Sequence, residues 1–267
     1  MIGIIIGVVA VLITFLLKGV SPVILINLPS IFIVIIGSSG AVIASFGMAE
    51  FKKAPKLIGI ASKGVKSRGR EVRDQLVSFA DRARREGLLA LEADVESVTD
   101  PFMKRGLQMV IDGMEPETVE EVLDLELEAM KRRHANGITL FSMWAGYAPT
   151  FGILGAVMGL IAVMAHLSEP EKLGAGIQVA FIATLLAVGL ANILFMPISV
   201  ALRGKDAAEV VERQMAIAGI LAIQAGDNPR IVAQKLETFL SPAEQRALAA
   251  ESPSSSSAAP EAAEEAA

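Results

Sequence analysis

The sequence predicts an all-α fold: a polytopic membrane protein with four transmembrane helices and a helical cytoplasmic domain. Four stretches, 2–17, 22–49, 138–165 and 174–202, contain no Asp, Glu, Lys or Arg, and a spanning helix needs roughly 20 mostly apolar residues. Hydrophobic residues make up 53% of the 267-residue chain and charged ones only 20%, below the roughly one quarter of a soluble domain. The cations are also polarised. Of 24 Lys and Arg, 16 lie between 50 and 136 and six follow 199, which leaves Lys18 and Lys172.

The first stretch is slightly short for a span, and Lys18 with the following Gly-Val-Ser extends it by snorkelling. No basic residue precedes it and no small-x-small cleavage site directly follows, so it reads as retained rather than as a cleaved signal peptide. The second stretch exceeds one span. Its opening, SPVILINLP at 21–29, reads as an interfacial connector, with the span proper near 30–48.

The basic run EFKKAPKLIGIASKGVKSRGREV (50–72) is placed to meet an anionic leaflet. Val72, Leu76, Phe79 and Ala83 then recur at helical spacing, with Gly87 as an interruption. Asp100-Pro101 opens a short helix through Met103, Leu107 and Ile111 that stops at Gly113. The next helix starts at Pro116 with acids early and Lys131, Arg132, Arg133 and His134 late, an order that complements the helix dipole. Nothing breaks it before Gly137, which predicts one long helix rising from the cytoplasm into the membrane. The third and fourth stretches are too long for buried helices of a soluble core. Beyond the fourth, Val210, Met215 and the apolar 217–223 give a helix, Asn228-Pro229 turns the chain, and RIVAQKLETFL (230–240) is a last amphipathic helix. From Ser252 onward Ser, Ala, Pro and Glu cannot bury a core, and disorder is expected. The expected organisation is therefore transmembrane helices 1 and 2 in 1–49, a cytoplasmic helical domain in 50–136, transmembrane helices 3 and 4 in 137–202, a cytoplasmic helical region in 203–250 and a disordered tail in 251–267.

The connectors 19–29 and 167–173 hold one Lys between them, whereas 50–136 and the segment after the fourth stretch hold 22 Lys and Arg. The positive-inside rule places both chain ends in the cytoplasm.

The third stretch continues as GYAPTFGILGAVMGLIAVMAHL (146–167), with four glycines, a proline, a threonine and no charge before His166. Ala148, Gly152 and Ala156 are each four apart, Gly155 and Gly159 form a GxxxG pair, and Ala183, Ala187 and Ala191 repeat the spacing in the fourth stretch. Small residues so spaced let helix backbones approach closely in lipid. Thr150 and Thr184 either bond their own helix carbonyls or line a polar path. Pro149 marks a hinge one turn inside its span, and Pro197 marks a helix end at the cytoplasmic face. No stretch holds an ionisable residue, although intramembrane ion sites normally use one; if ions pass here, a partner brings the titrating group. The chain has no Cys and only two His, His134 and His166, expected at opposite membrane faces. It shows no metal-ligand spacing and no phosphate-cradling glycine loop, so neither an enzyme nor a cofactor or metal is expected. The net charge of −5 does not point to nucleic acid.

ARREGLLALE (83–92), RRH (132–134), YAPTFGILGAVMGLI (147–161) and AFIATLLAVGLAN (180–192) followed by FMP (195–197) resemble the A subunits of bacterial flagellar stators, the MotA branch of the family that also holds the TolQ and ExbB proteins. The resemblance covers about residues 1 to 240, and REGLLALE favours the MotA branch. It implies an ion-driven motor unit of the bacterial inner membrane that turns ion flow into torque for motility. Five A subunits would surround two copies of a MotB-like B subunit, which carries a transmembrane Asp and a peptidoglycan-gripping part. The A ring would act on the FliG-like switch protein of the rotor C-ring. Carried over by position, Arg84 and Glu92 face the rotor, Pro149 and Pro197 couple conformational change, and Thr184 lies beside the partner's Asp on an ion path with Thr150 and Ala156. Read alone, Arg84 and Glu92 are an ordinary solvated face. Sodium-driven relatives carry Thr at the positions of Ala156 and Ala183; fewer oxygens suit a proton better than a bare sodium ion. Two other readings share the physics: an ExbB- or TolQ-type unit energising the envelope, and a passive membrane scaffold.

Overall fold

The structure is a computed structural model that describes residues 2–64, 67–165, 168 and 170–251. The tail from Ser252 onward, where disorder is expected, lies outside the described residues, as do His166 and part of the 167–173 connector. Every regular element among the described residues is helical.

The chain falls into two compact units, Met1–Val65 with Ala129–Ala207, and Lys66–Glu128 with Ala208–Ala267. The first contains α1 (Ile2–Leu17), a 3₁₀ turn at Pro22–Leu25, α2 (Leu28–Phe51) and α3 (Ala54–Ser62). It also holds most of α7 (Pro116–Met164), α8 (Pro170–Gly189) and the start of α9 (Met196–Gln224). Three helical segments are long and apolar enough to cross a membrane, Leu28–Phe51, Pro116–Met164 and Leu173–Gln224, and Gly3–Leu17 is a shorter apolar helix.

The second span starts earlier than its composition suggests. The Asn27 side chain accepts hydrogen bonds from the Ser30 N–H at 3.1 Å and the Ser30 hydroxyl at 2.8 Å, and Pro29 occupies the first turn, where its missing N–H costs nothing. Its other end is bent at Gly47, whose φ of 79° is open to glycine at little cost. A second difference concerns Pro197. It does not end a helix at the cytoplasmic face: a π-helical turn, Leu190–Phe195, joins α8 to α9, and α9 continues to Gln224. In a regular helix the Pro197 ring would strike the carbonyl of residue 193; the wider turn opens the backbone there. A matching π turn, Phe32–Gly37, lies in α2.

The core of this unit is aromatic. Trp144, the only tryptophan, stacks on Phe195 with centroids 4.4 Å apart, and Phe51 and Phe141 lie at 5.3 and 6.1 Å. Its indole N–H donates to the Ser38 hydroxyl at 3.0 Å, which itself donates to the Val34 carbonyl. A buried Trp needs such a partner. Ser199 likewise donates to the Ile138 carbonyl at 2.9 Å.

The second unit holds α4 (Gly69–Glu86), a 3₁₀ turn at Leu88–Leu91, α5 (Glu92–Ser97) and α6 (Pro101–Ile111). The first turns of α7, the end of α9, α10 (Pro229–Glu237) and α11 (Pro242–Glu251) complete it. Leu76, Leu107, Leu123, Met215, Ile220 and Leu236 are fully buried. Gly87 ends α4 at φ 87°. Gly106 makes room for neighbouring side chains: a Cβ there would lie 2.6 Å from Ile220 Cδ1 and 3.1 Å from Leu123 Cδ1, so both ends would have to shift. Asp100 caps α6 by accepting from the Phe102 and Met103 N–H groups at 2.9 and 3.2 Å. It also pairs with Arg213, whose guanidinium sits 4.8 Å over the Phe102 ring. Burial pushes the Asp100 carboxyl up, but Arg213 and the two N–H donors outweigh it and hold the group below its ordinary value.

Candidate functional site

The site begins with a seam in the first unit. α7 turns its small residues toward α8: a Cβ on Gly152 would strike Ala187 Cβ and lie 3.2 Å from the Ala183 carbonyl. On Gly155 it would lie 3.0 Å from Ala183 Cβ and 2.9 Å from Ile33 Cγ2, and on Gly159 3.2 to 3.3 Å from three atoms of Ala180. Ala183, Ala187 and Ala191 are buried, as is Ala148. Glycine and alanine thus bring two backbones together along about two turns, the geometry in which dispersion and Cα–H contacts hold helices in lipid.

Thr184 lies on this seam, its Cα 3.4 Å from the position a Gly152 Cβ would take. Its half-buried hydroxyl donates back to the Ala180 carbonyl at 3.3 Å. Thr150 is exposed and its hydroxyl donates to the Tyr147 carbonyl at 2.6 Å. In this single chain both hydroxyls therefore serve their own helix. Ala156, one turn along from Gly152, is half-buried. Pro149 lies inside α7, which remains α-helical through it.

Arg84 and Glu92 stand at opposite ends of the Gly87 turn, both exposed. Their neighbours are occupied: Arg82 pairs with Asp94 at 2.6 Å and Glu86 at 3.3 Å, which raises its proton affinity, the Asp94 bond most, and Arg85 pairs with Asp81 at 2.6 Å. The Arg84 and Glu92 side chains themselves make no ion pair or hydrogen bond among the described residues. Leu89, 73% exposed, lies between them in the chain.

Three features are not visible in residue types alone. Trp144 joins the two π turns, through Ser38 just after one and Phe195 at the end of the other. The Tyr147 hydroxyl and Ser45 hydroxyl are 3.0 Å apart, linking α7 and α2. His134 and Asp206 meet at 2.8 Å across 72 residues of chain. The sequence offers for them only residue types that are rare in this chain, its single tryptophan, its single tyrosine and one of its two histidines.

Long apolar helices, an uncharged small-residue seam and a separate charged helical unit define a polytopic α-helical membrane protein. Residues 94–215 match the MotA/TolQ/ExbB proton channel family, and residues 1–87 match the family described as Motility protein A N-terminal. The chain is 41% identical over 92% of its length to Motility protein A of Bacillus subtilis, covering 91% of that protein. It is 40% identical over 83% of its length to Motility protein A of Borreliella burgdorferi, covering 85%. A chain in the structure of the flagellar MotAB stator complex from Bacillus subtilis superposes with a TM-score of 0.86 at 41% identity, over 94% of this chain and 98% of that one. The chain belongs to the MotA/TolQ/ExbB proton channel family, whose members are ion-channel and stator subunits rather than a class of enzymes.

Proposed function

We propose that this chain is the A subunit of a flagellar stator, which with a MotB-like partner converts inward ion flow into torque on the rotor and is not itself an enzyme. The likeness to a stator-complex chain over nearly the full length carries this reading. The uncharged spans supply its chemistry. Hydroxyls and carbonyls can guide a proton but cannot hold one near neutral pH, so the titrating carboxylate belongs to the partner. Four helices, with α1 as the shortest, cross the inner membrane, and both termini are cytoplasmic. Five copies surround two B subunits.

Within that assembly Thr184, Ala156 and Thr150 flank the path. A partner carboxylate beside Thr184 draws its hydroxyl from the Ala180 carbonyl, a long bond that yields readily. Pro149 leaves the carbonyl four residues back without its helical donor, and Pro197 stands beside the π turn; both let their helices flex as the carboxylate changes charge. The unpaired Arg84 and Glu92 meet complementary charges on a FliG-like switch protein, where charge sets orientation and encounter rate more than affinity. With Ala at 156 and 183, the path offers fewer oxygens for a bare sodium ion, and the coupling ion is the proton.

A deletion strain should keep its filaments and lose swimming, restored by this chain in sodium-free medium. Retained swimming with an outer-membrane energisation defect would favour an ExbB- or TolQ-type role. Rescue that requires sodium would refute proton coupling.

A further inference from the structure

One cavity in the first unit is touched by this reading only at Pro197, on its wall. It has a volume of about 350 Å³ and is lined by Gly3 and Gly7 of α1, Ala61 of α3, and Ile193, Pro197 and Ala201. Its walls are apolar. The polar side chain on its edge, Asn192, already donates to the Val188 carbonyl at 3.0 Å. A Cβ on Gly3 would meet nothing within 4 Å, whereas one on Gly7 would lie 3.2 Å from Ile193 Cγ2, so the α1 side is open at Gly3 and closes against Ile193 at Gly7.

The mouth of this cavity is cationic. Pro197, Ala201 and Lys205 are spaced four apart on one helix face, so Lys205 stands above the cavity wall. Its ammonium reaches across to the Gly64 carbonyl at 3.1 Å, three residues beyond Ala61. That contact uses one of three N–H donors. Lys63 is exposed beside it and has no partner among the described residues. Glu50 is paired with Lys53 at 2.5 Å, Asp206 with His134 at 2.8 Å, and Glu209, one turn beyond Lys205, with Arg213 at 3.3 Å.

An apolar slot ending in unneutralised ammonium groups at one membrane face has the chemistry of an acyl chain below a phosphate. The geometry points to a binding site for one anionic phospholipid of the cytoplasmic leaflet, its phosphate on Lys205 and Lys63 and one chain lying along Gly3 and Ala201, with Gly7 and Ile193 closing its inner end. The site rests on the reading that this end of the first unit faces the cytoplasm. The small residues provide the room, and the anionic leaflet provides the occupant.

The test uses the complex with its B-type partner, reconstituted in nanodiscs carrying spin-labelled phosphatidylglycerol or phosphatidylcholine. The complex should immobilise phosphatidylglycerol in preference to phosphatidylcholine. Lys205→Gln should lower that preference about fivefold, while Lys205→Arg keeps it. Gly3→Leu, which fills the slot without changing charge, should reduce immobilised lipid of both kinds. If Lys205→Gln does not assemble, Lys63→Gln carries the same expectation. Equal immobilisation of the two lipids by the native complex, or an unchanged preference in the glutamine variants, overturns the site. Orientation is read separately: the chain has no cysteine, so Lys63→Cys can be labelled from either side. Labelling only from outside the cell overturns the orientation, whereas cytoplasmic labelling with no lipid preference overturns the lipid site alone.

Discussion

Gly155→Ala tests the seam directly. The added methyl would sit 3.0 Å from Ala183 Cβ on α8 and 2.9 Å from Ile33 Cγ2 on α2, where relaxed carbon contacts are about 3.5–4.0 Å. Ile33 can rotate away, but the Ala183 methyl moves only with its backbone. α8 must therefore shift by roughly half an ångström or more, and overpacking of this kind costs about 1–3 kcal/mol. Against it, replacing a mid-helix glycine by alanine gains about 0.5–1 kcal/mol, so the packing cost wins. Gly146→Ala separates the two effects. It lies on the same helix with nothing within 4 Å of its Cβ, and only the propensity gain applies. The two variants should therefore differ by about 2 kcal/mol. Unfolding of the purified chain in mixed micelles, followed by the fluorescence of Trp144, measures the difference. Adding Ala183→Gly should recover most of it. Equal stability of Gly155→Ala and Gly146→Ala, or no recovery in the double variant, would refute close helix packing at this seam.

Arg84→Ala and Glu92→Ala should each leave thermal stability within about 0.5 kcal/mol while reducing swimming in soft agar; a folding defect would show that these side chains serve the domain instead. Asp100→Asn should destabilise the second unit by about 2 kcal/mol, through a weakened cap and an abandoned Arg213, read by denaturation of the purified chain at neutral pH. The pH dependence has a definite sign. The folded Asp100 carboxyl titrates below its ordinary value of about 3.9, so its contribution is complete above that value and is lost as pH falls through the lower folded one. Native protein should lose stability in that acid window, and Asp100→Asn should lose less there. Trp144→Phe removes the bond to Ser38, which keeps its own bond to Val34, and should cost only about 1 kcal/mol by thermal unfolding; Trp144→Ala opens a cavity and should cost about 3–5 kcal/mol.

Much of the architecture was legible because it rests on local rules. Gly87 and Gly113 stop helices where a positive φ is needed, Asp100 and Asn228 start them as caps, and α7 rises from Pro116 because nothing breaks it before Gly137; it also stays helical through Pro149, where the sequence points to a hinge. Pro197 was misjudged because a proline one residue past a π turn and one ending a helix look the same in a sequence. Phe195, the last residue of the wider turn, stacks on Trp144, a contact that no spacing rule contains. Arg84 and Glu92 were indistinguishable from Arg82 and Asp94 as charges; folding pairs the latter two and leaves the former without partners.

The sequence by itself determined which segments avoid water and which helix faces can approach closely, since both depend on side-chain size, charge and the fixed period of the helix. Only the tertiary structure decided which small residue meets which, which charges remain unpaired, and where space is left beside Gly3. Those outcomes depend on distances between segments far apart in the chain, set by how the helices pack together.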